Sequence, residues 1–144
     1  MRDDFLSKLR ALAASVQATV QRGNAARAAP LATWVAEMGG AFNSGRPGVT
    51  DSFVSVFWYA DALGTLAMYG TEVVCRQTLV GGSYSLLGLH DNGTYFVGSA
   101  AASAAAASPN ARGRGRGVRP DYFVALLWQR LVGARVLLSL IHIS

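Results

Sequence analysis

The spacing of apolar residues near the N-terminus predicts an amphipathic helix. Between Asp4 and Val20, apolar side chains recur every three or four residues, with arginine and glutamine between them. The helix is expected to end near residues 22–24, where an arginine in the last turn and a following glycine form a typical C-terminal cap. The positions that define its apolar face are Phe5, Leu6, Leu9, Leu12, Val16 and Val20.

A short apolar run after this helix predicts a β-strand. Leu31–Ala36 is apolar and runs into Glu37, which is followed by Met38 and two glycines. A short continuous apolar run that stops at a glycine turn is typical of a buried strand in a parallel sheet. The next segment, residues 43–48, is polar and rich in turn-forming residues, and we interpret it as a loop.

The middle of the chain predicts a second helix and a second strand. Thr50 and Asp51 offer an N-cap for a helix that ends near Tyr69, and the β-branched run 71–80 predicts a strand. A third helix is expected to open at Pro120 and Asp121. Strands and helices that alternate in this way are typical of a parallel α/β fold. The second helix carries an aromatic stripe typical of a helix face that covers a sheet, formed by Phe53, Phe57 and Trp58. Where strands of that sheet are missing, we expect the stripe to stay exposed.

Composition limits the chain to one domain and excludes several classes of protein. With 144 residues, a mass of 15.2 kDa and 51% apolar residues, it suffices for one packed core. The net charge of +5 is local, since four of the 13 basic residues lie within residues 112–119. No uncharged apolar window reaches the roughly 18–20 residues of a membrane span. The single cysteine, Cys75, excludes an internal disulfide framework and is predicted to be a buried free thiol.

Glu37 is the carboxylate whose position suggests chemistry. It follows a predicted parallel strand, and the carboxyl ends of such strands open into the mouth of a sheet or barrel, where catalytic groups collect. The alternative is a strand-end carboxylate that caps the following loop, and position alone does not separate the two. The other glutamate, Glu72, lies at the start of the second predicted strand and is expected to be solvated.

Four blocks of this sequence together resemble one family. They are WVAEMGGAFNSG at residues 34–45, SFVSVFWYADALG at 52–64, CRQTLVGGSY at 75–84 and PDYFVALLWQRLVG at 120–133. The blocks resemble segments of the plant heparanase-like proteins of glycoside hydrolase family 79, the endo-β-glucuronidases, and occur in the same order. The resemblance covers roughly residues 31–88 and 120–137.

The resemblance implies a retaining hydrolase built on a (β/α)8 barrel. Retention requires two carboxyl groups roughly 5 Å apart, one to attack the anomeric carbon and one to protonate the leaving oxygen. Glu37 matches the nucleophile of the family, and Asn43, Gln77 and Tyr84 are expected to support its ionised form by hydrogen bonding. The implied partner is a polysaccharide or glycoside containing glucuronic acid. No cofactor, metal or nucleic acid is implied.

Two loops match the family segments that hold the uronic-acid sugar, and their backbone N–H groups are expected to face its carboxylate. Ser83 departs from the asparagine usual in plant members, which puts a contact by that side chain in doubt. The matching residues are Phe42, Asn43 and Ser44 in the first loop and Gly82, Ser83 and Tyr84 in the second.

The acid/base glutamate of the family lies in an Asn-Glu motif, and this dipeptide is absent here. General acid–base catalysis contributes typically about 10²- to 10⁴-fold, so we expect the chain alone to be inactive and to need the missing N-terminal half of the barrel. The fold expected for residues 1–137 is therefore the C-terminal part of an incomplete TIM barrel. Residues 98–119 are predicted to be a disordered Ala/Gly/Arg-rich insert, and residues 138–144 a non-native tail.

Two other functions are alternatives to the hydrolase. The Arg-Gly alternation at residues 112–117 suggests an RGG-type RNA-binding segment, but it contains no aromatic residue for base stacking. A non-catalytic carbohydrate-binding or degenerate product is the second alternative. By resemblance the parent protein is expected to be secreted, vacuolar or lysosomal, or membrane-associated, although this chain carries no targeting signal and only one sequon, at Asn92.

Overall fold

The computed structural model describes residues 3–88 and 117–133, which form three helices and two strands. In chain order these are α1 (Asp3–Asn24), β1 (Thr33–Met38), α2 (Val54–Met68), β2 (Thr71–Arg76) and α3 (Pro120–Leu131). Each element predicted within these ranges is present. None of the described helices has both the length and the apolarity required to cross a membrane.

The two strands form a parallel pair connected by α2, which is the βαβ unit expected from the alternating pattern. Thr33 pairs with Thr71 at the start of the sheet, and Met38 pairs with Arg76 at its carboxyl end. The register is irregular in between. Because both strands run in the same direction, the residues that follow them emerge at one edge of the sheet.

A small core lies between α2, the sheet and α3. Tyr59 and Leu63 of α2 are buried together with Val124 of α3, and Met38 and Trp128 pack against this cluster. The outer faces remain open. Large apolar side chains that are more than half exposed include Trp34, Phe53, Phe57, Phe123, Leu127 and Leu131.

The prediction of a buried first strand is wrong. Trp34 is 66% exposed, and Ala36 and Glu37 are also exposed, because the described sheet has only two strands and one face of β1 is open. The same geometry overturns the prediction for Cys75. Its thiol is free, as expected, but it is exposed and not buried. A parallel strand is covered on both faces only when further elements pack against the sheet.

The predicted N-cap of the second helix is also wrong. The helix begins at Val54 after Phe53, which makes no side-chain capping bond. The hydroxyl of Thr50 instead accepts a bond from the Arg46 N–H (2.8 Å) and donates to the Arg46 carbonyl (3.1 Å). The side chains expected to start the helix therefore stabilise the loop before it.

The second strand and the predicted insert have different limits from those expected. β2 ends at Arg76, and Val80 forms only an isolated bridge with Leu87. Leu87 also bridges Val118, and the Arg119 N–H donates to the Leu86 carbonyl (2.9 Å), so residues 117–119 are ordered. Residues 98–116 of the predicted insert, which include all but the last residue of the Arg-Gly alternation, lie outside the described residues, as do the sequon and the predicted tail.

Candidate functional site

The carboxyl ends of the two strands place Glu37 and Gln77 at one edge of the sheet. Glu37 is the last residue but one of β1, and Gln77 follows directly after β2. The Gln77 N–H donates to the carbonyl of Met38 (3.0 Å), which continues the pairing one step beyond β2. The two residues therefore lie at the same edge because both strands run in the same direction and end there.

A cavity of about 530 Å³ opens at this edge, and six of the eight predicted site residues line it. Its walls come from the end of β1, the loop after β1 and the segment after β2. The predicted residues in the lining are Glu37, Phe42, Asn43, Ser44, Gln77 and Tyr84, and the remaining lining residues are Met38, Gly39 and Ala41.

Gly82 and Ser83 do not line the cavity, but they connect its two loops. The Ser83 N–H donates to the Ser44 carbonyl (2.6 Å). A Cβ on Gly82 would lie 2.7 Å from the same carbonyl oxygen, so only glycine permits this approach. The Ser83 amide is thus occupied within the protein, which corrects the expectation that it faces the carboxylate of a substrate.

The loop after β1 follows an unusual backbone path. Asn43 (φ 57°) and Ser44 (φ 67°) are left-handed, and Gly45 (φ 89°) continues the turn. Left-handed backbone is uncommon in residues other than glycine and is often found at functional sites. A Cβ on Gly45 would lie 2.6 Å from the Thr50 hydroxyl oxygen. This path leaves the ring of Phe42 98% exposed at the rim of the cavity.

Tyr84 packs closely against Gly39, the first of the two glycines in the loop after β1. Its ring is buried, and a Cβ on Gly39 would lie 3.0 Å from two of its ring carbons. A Cβ on Gly40 would in turn lie 3.0 Å from the methyl group of Thr50. Gly39 and Gly40 therefore allow the loop to pack closely against Tyr84 on one side and against Thr50 on the other.

The carboxylate of Glu37 is exposed and forms no hydrogen bond or ion pair within the described part of the chain. Asn43, Gln77 and Tyr84 share the cavity with it, but the hydrogen bonds expected from them are not formed. Among the described carboxylates, Glu37 alone lines this cavity. Glu72 is exposed on β2 and borders a different, smaller cavity of about 210 Å³.

An ion pair behind the site was not identified from the sequence. Arg76, the last residue of β2, donates to the carboxylate of Asp121 at 2.7 Å, and both side chains are less than 10% exposed. The Ser55 hydroxyl donates to the same carboxylate oxygen (2.8 Å). The guanidinium carbon of Arg76 lies 4.6 Å from the centre of the Tyr59 ring and 5.5 Å from that of Trp58.

Burial dominates the ionisation of this cluster. It raises the pKa of the Asp121 carboxyl, which the Ser55 hydroxyl and Arg76 oppose, and it lowers the pKa of the Arg76 guanidinium. Burial also raises the pKa of Tyr59. The sequence signal for the pair is a charged residue, Arg76, inside the β-branched run 71–80. Asp121 lies in the first turn of α3, as the sequence predicts, and Arg119 occupies the N-cap position.

The described side chains suit nucleophilic or binding chemistry. One acidic residue, Glu37, lines a cavity whose other polar groups, from Asn43, Ser44, Gln77 and Tyr84, are uncharged hydrogen-bonding groups. Within residues 3–88 and 117–133, no group of three or more histidine, cysteine or acidic side chains is arranged to hold a metal ion. The arrangement therefore offers one nucleophilic or charge-stabilising group without a second carboxyl beside it.

Comparison with known proteins adds to this geometry. The family model described as "Glycosyl hydrolase family 79, N-terminal domain" matches residues 1–64, which includes α1 as well as the first two resembling blocks. The chain is 43% identical over 104 residues to baicalin-β-D-glucuronidase from Scutellaria baicalensis, covering 72% of this chain and 15% of that protein. It is 41% identical over 138 residues to heparanase-like protein 1 from Arabidopsis thaliana, covering 95% of this chain and 20% of that protein.

The similarity extends to animal proteins. Heparanase from Gallus gallus is 34% identical over 105 residues, which covers 72% of this chain and 15% of that protein. The chain therefore spans about a fifth or less of the length of these relatives.

Proposed function

Since this chain belongs to glycosyl hydrolase family 79, we propose that Glu37 is the nucleophile in the retaining hydrolysis of β-glucuronides. Membership in this family implies a TIM barrel, and the βαβ unit described above is the repeating unit of such a barrel. The observation that carries the proposal is the position of Glu37, at the carboxyl end of a parallel strand and in the same cavity as the two loops.

The proposed chemistry consists of two displacements at the anomeric carbon. The Glu37 carboxylate attacks that carbon while its bond to the leaving oxygen breaks, and a second carboxyl group supplies the proton that the leaving oxygen takes up. A glucuronosyl ester of Glu37 results. The second group then removes a proton from water, which attacks the same carbon and releases the glucuronic acid and the free Glu37 carboxylate.

We propose that the acid/base carboxyl group comes from outside this chain. No second carboxylate lines the cavity among the described residues, and retention requires two carboxyl groups about 5 Å apart. The names of the relatives indicate a β-D-glucuronidase acting on baicalin and heparanases. By that similarity, the proposed substrate of the complete enzyme is a glycoside or polysaccharide containing glucuronic acid.

We assign the exposed ring of Phe42 and the polar groups of Asn43, Ser44 and Tyr84 to binding of the uronic-acid sugar. Aromatic rings at a rim offer an apolar face to a sugar, while amide and hydroxyl groups fix its orientation. Gly82 and Ser83 support this part of the wall through the Ser44 carbonyl. Gln77 lies next to the strand end and is assigned to the same sugar-binding surface.

The proposal is tested with a substrate whose leaving group needs no protonation. Purified full chain is incubated with 2,4-dinitrophenyl β-D-glucuronide, and release of dinitrophenolate is followed by absorbance. We expect release of up to one equivalent and a glucuronosyl ester on Glu37, located by peptide mass spectrometry. The leaving group of the 4-nitrophenyl glycoside depends more strongly on an acid. We therefore expect the 4-nitrophenyl glycoside to react at least about 10²-fold more slowly than the dinitrophenyl glycoside.

The chain offers a matched control because it contains only two glutamates. Glu37→Gln should abolish both dinitrophenolate release and the ester, whereas Glu72→Gln, which changes the exposed glutamate of β2, should leave both intact. Absence of the ester, or an ester that persists in Glu37→Gln, would reject Glu37 as the nucleophile. Binding of glucuronate without any ester would favour the carbohydrate-binding alternative.

A further inference from the structure

The guanidinium group of Arg76 joins three segments that are far apart in the sequence. One terminal nitrogen, Nη1, donates to the carbonyl of Met38 in β1 (3.3 Å). The other, Nη2, donates to the carbonyl of Tyr84 (2.8 Å) and to the carboxylate of Asp121 in α3 (2.7 Å). Since the side chain is 7% exposed, these bonds form away from bulk water.

Two of these three acceptors belong to the wall of the candidate site. Met38 follows Glu37 directly and lines the cavity, and Tyr84 lines it from the opposite segment. The third acceptor, Asp121, lies outside the cavity and anchors the guanidinium to the buried start of α3. The rings of Trp58 and Tyr59 restrict the guanidinium further from the side of α2.

We infer that Arg76 is a positioning residue that holds the strand end carrying Glu37 in a fixed relation to Tyr84. The inference rests on the proposed function, because it assigns a role in the same site. Two carbonyl groups from different segments are bound by one rigid, planar group, so neither segment moves without breaking a bond to Arg76. A lysine provides the charge but not the planar fork that reaches three acceptors at once.

The energetics of the pair favour a geometric role over a purely stabilising one. Removing a charged pair from water costs free energy that the attraction between the two charges often fails to recover, and well-packed apolar replacements are frequently as stable. The directions of both pKa shifts indicate that desolvation dominates here. What apolar side chains do not supply is the pair of hydrogen bonds to the Met38 and Tyr84 carbonyls.

The test replaces Arg76 by lysine in the full chain and measures two quantities. The first is the rate constant for esterification of Glu37 by 2,4-dinitrophenyl β-D-glucuronide at saturation, per folded molecule, together with the half-saturating concentration. We expect the rate constant to fall about ten- to a hundredfold, because small displacements of a reacting group cost rate of this order. We expect the half-saturating concentration to rise, because Tyr84 is displaced too.

The second quantity is amide hydrogen exchange, which does not depend on catalysis. In Arg76→Lys, exchange should accelerate together in residues 38–45 and in residues 83–86, the two segments that the guanidinium joins. Val124→Ala is the control for lost stability, since it truncates a buried core side chain outside the cavity. It should lower the melting temperature without changing the esterification rate per folded molecule.

The possible results separate this inference from the proposed function. If the unmodified chain forms the ester and Arg76→Lys forms it at the same rate per folded molecule, the positioning role is refuted while the nucleophile stands. If the unmodified chain forms no ester, the proposed function fails and exchange alone decides. In that case, if amide exchange in Arg76→Lys is no different from amide exchange in Val124→Ala, the inference is refuted. Should Arg76→Lys not fold, the double variant Arg76→Met/Asp121→Leu replaces the buried pair by apolar side chains and lacks the bonds to both carbonyl groups. It must then show both effects, and their absence overturns the inference.

Discussion

Replacement of Asp121 by asparagine isolates the charge of the buried ion pair. Asparagine has nearly the shape of aspartate, and its side-chain oxygen still accepts bonds from Arg76 (2.7 Å in the native chain) and Ser55 (2.8 Å). The substitution therefore keeps the hydrogen bonds to this oxygen and removes the negative charge. The guanidinium of Arg76, 7% exposed, then has no counter-ion.

The expected loss follows from the geometry. For unit charges about 4 Å apart and an effective dielectric constant of about 20, the attraction is about 4 kcal/mol. Removal of one partner from a buried pair costs about 3–5 kcal/mol. Since Arg76 keeps its bonds to two carbonyl groups and its contacts with two aromatic rings, we expect about 3 kcal/mol. At about 4 °C per kcal/mol, the melting temperature should fall by about 12 °C.

The assay is urea denaturation, followed by circular dichroism and tryptophan fluorescence, together with thermal melting. Asp61→Asn is the matched control. It makes the same chemical change in a more exposed pair. A terminal nitrogen of Arg10 lies 4.0 Å from the Asp61 carboxylate, and the Arg10 side chain is 57% exposed. Pairs of this kind contribute about 0.2–1 kcal/mol. The reasoning is refuted if Asp121→Asn lowers the free energy of unfolding no more than Asp61→Asn does.

Three further predictions concern the core, the loop and the surface. Because burial raises the pKa of Tyr59, its neutral form adds stability below pH 10, and this stability is lost as the pH rises through the folded-state pKa. The free energy of unfolding should therefore decrease at alkaline pH, and the decrease should be smaller in Tyr59→Phe. Gly45→Ala should cost more than about 2 kcal/mol in urea denaturation, since the new Cβ would collide with Thr50, whereas Gly48→Ala, with open space around it, should cost about 1 kcal/mol. Phe57→Ser, which changes a ring that is 62% exposed, should reduce light scattering at equal concentration, and unchanged scattering would show that this face does not drive association.

Secondary structure was the part of the fold most accessible from the sequence. Three helices and a parallel strand pair follow from apolar spacings of three to four residues and from β-branched runs, because such patterns are local consequences of backbone geometry. The start of α2 was missed for a local reason as well. Thr50 and Asp51 have the side chains of N-cap residues, but their oxygens bond to the backbone of the preceding loop.

Burial was predicted less well than element type. Leu31–Ala36 and the strand around Cys75 have the composition of buried strands, and an apolar pattern indicates which side chains a sheet buries when neighbouring elements cover it. It does not indicate which neighbours are present. In the described fold α2 is the helix that contacts a strand closely, and that strand is β2, so Trp34 and Cys75 remain exposed.

The position of Glu37 at the carboxyl end of a parallel strand, and the elements around it, were available from local patterns in the sequence. The meeting of the two loops at Ser44 and Ser83, and the buried bond between Arg76 and Asp121, 45 residues apart, were not. Local periodicity describes one element at a time, whereas these contacts depend on how several elements close around a common core. A charge at a strand end acquires its role only when packing removes it from water and places its partner beside it.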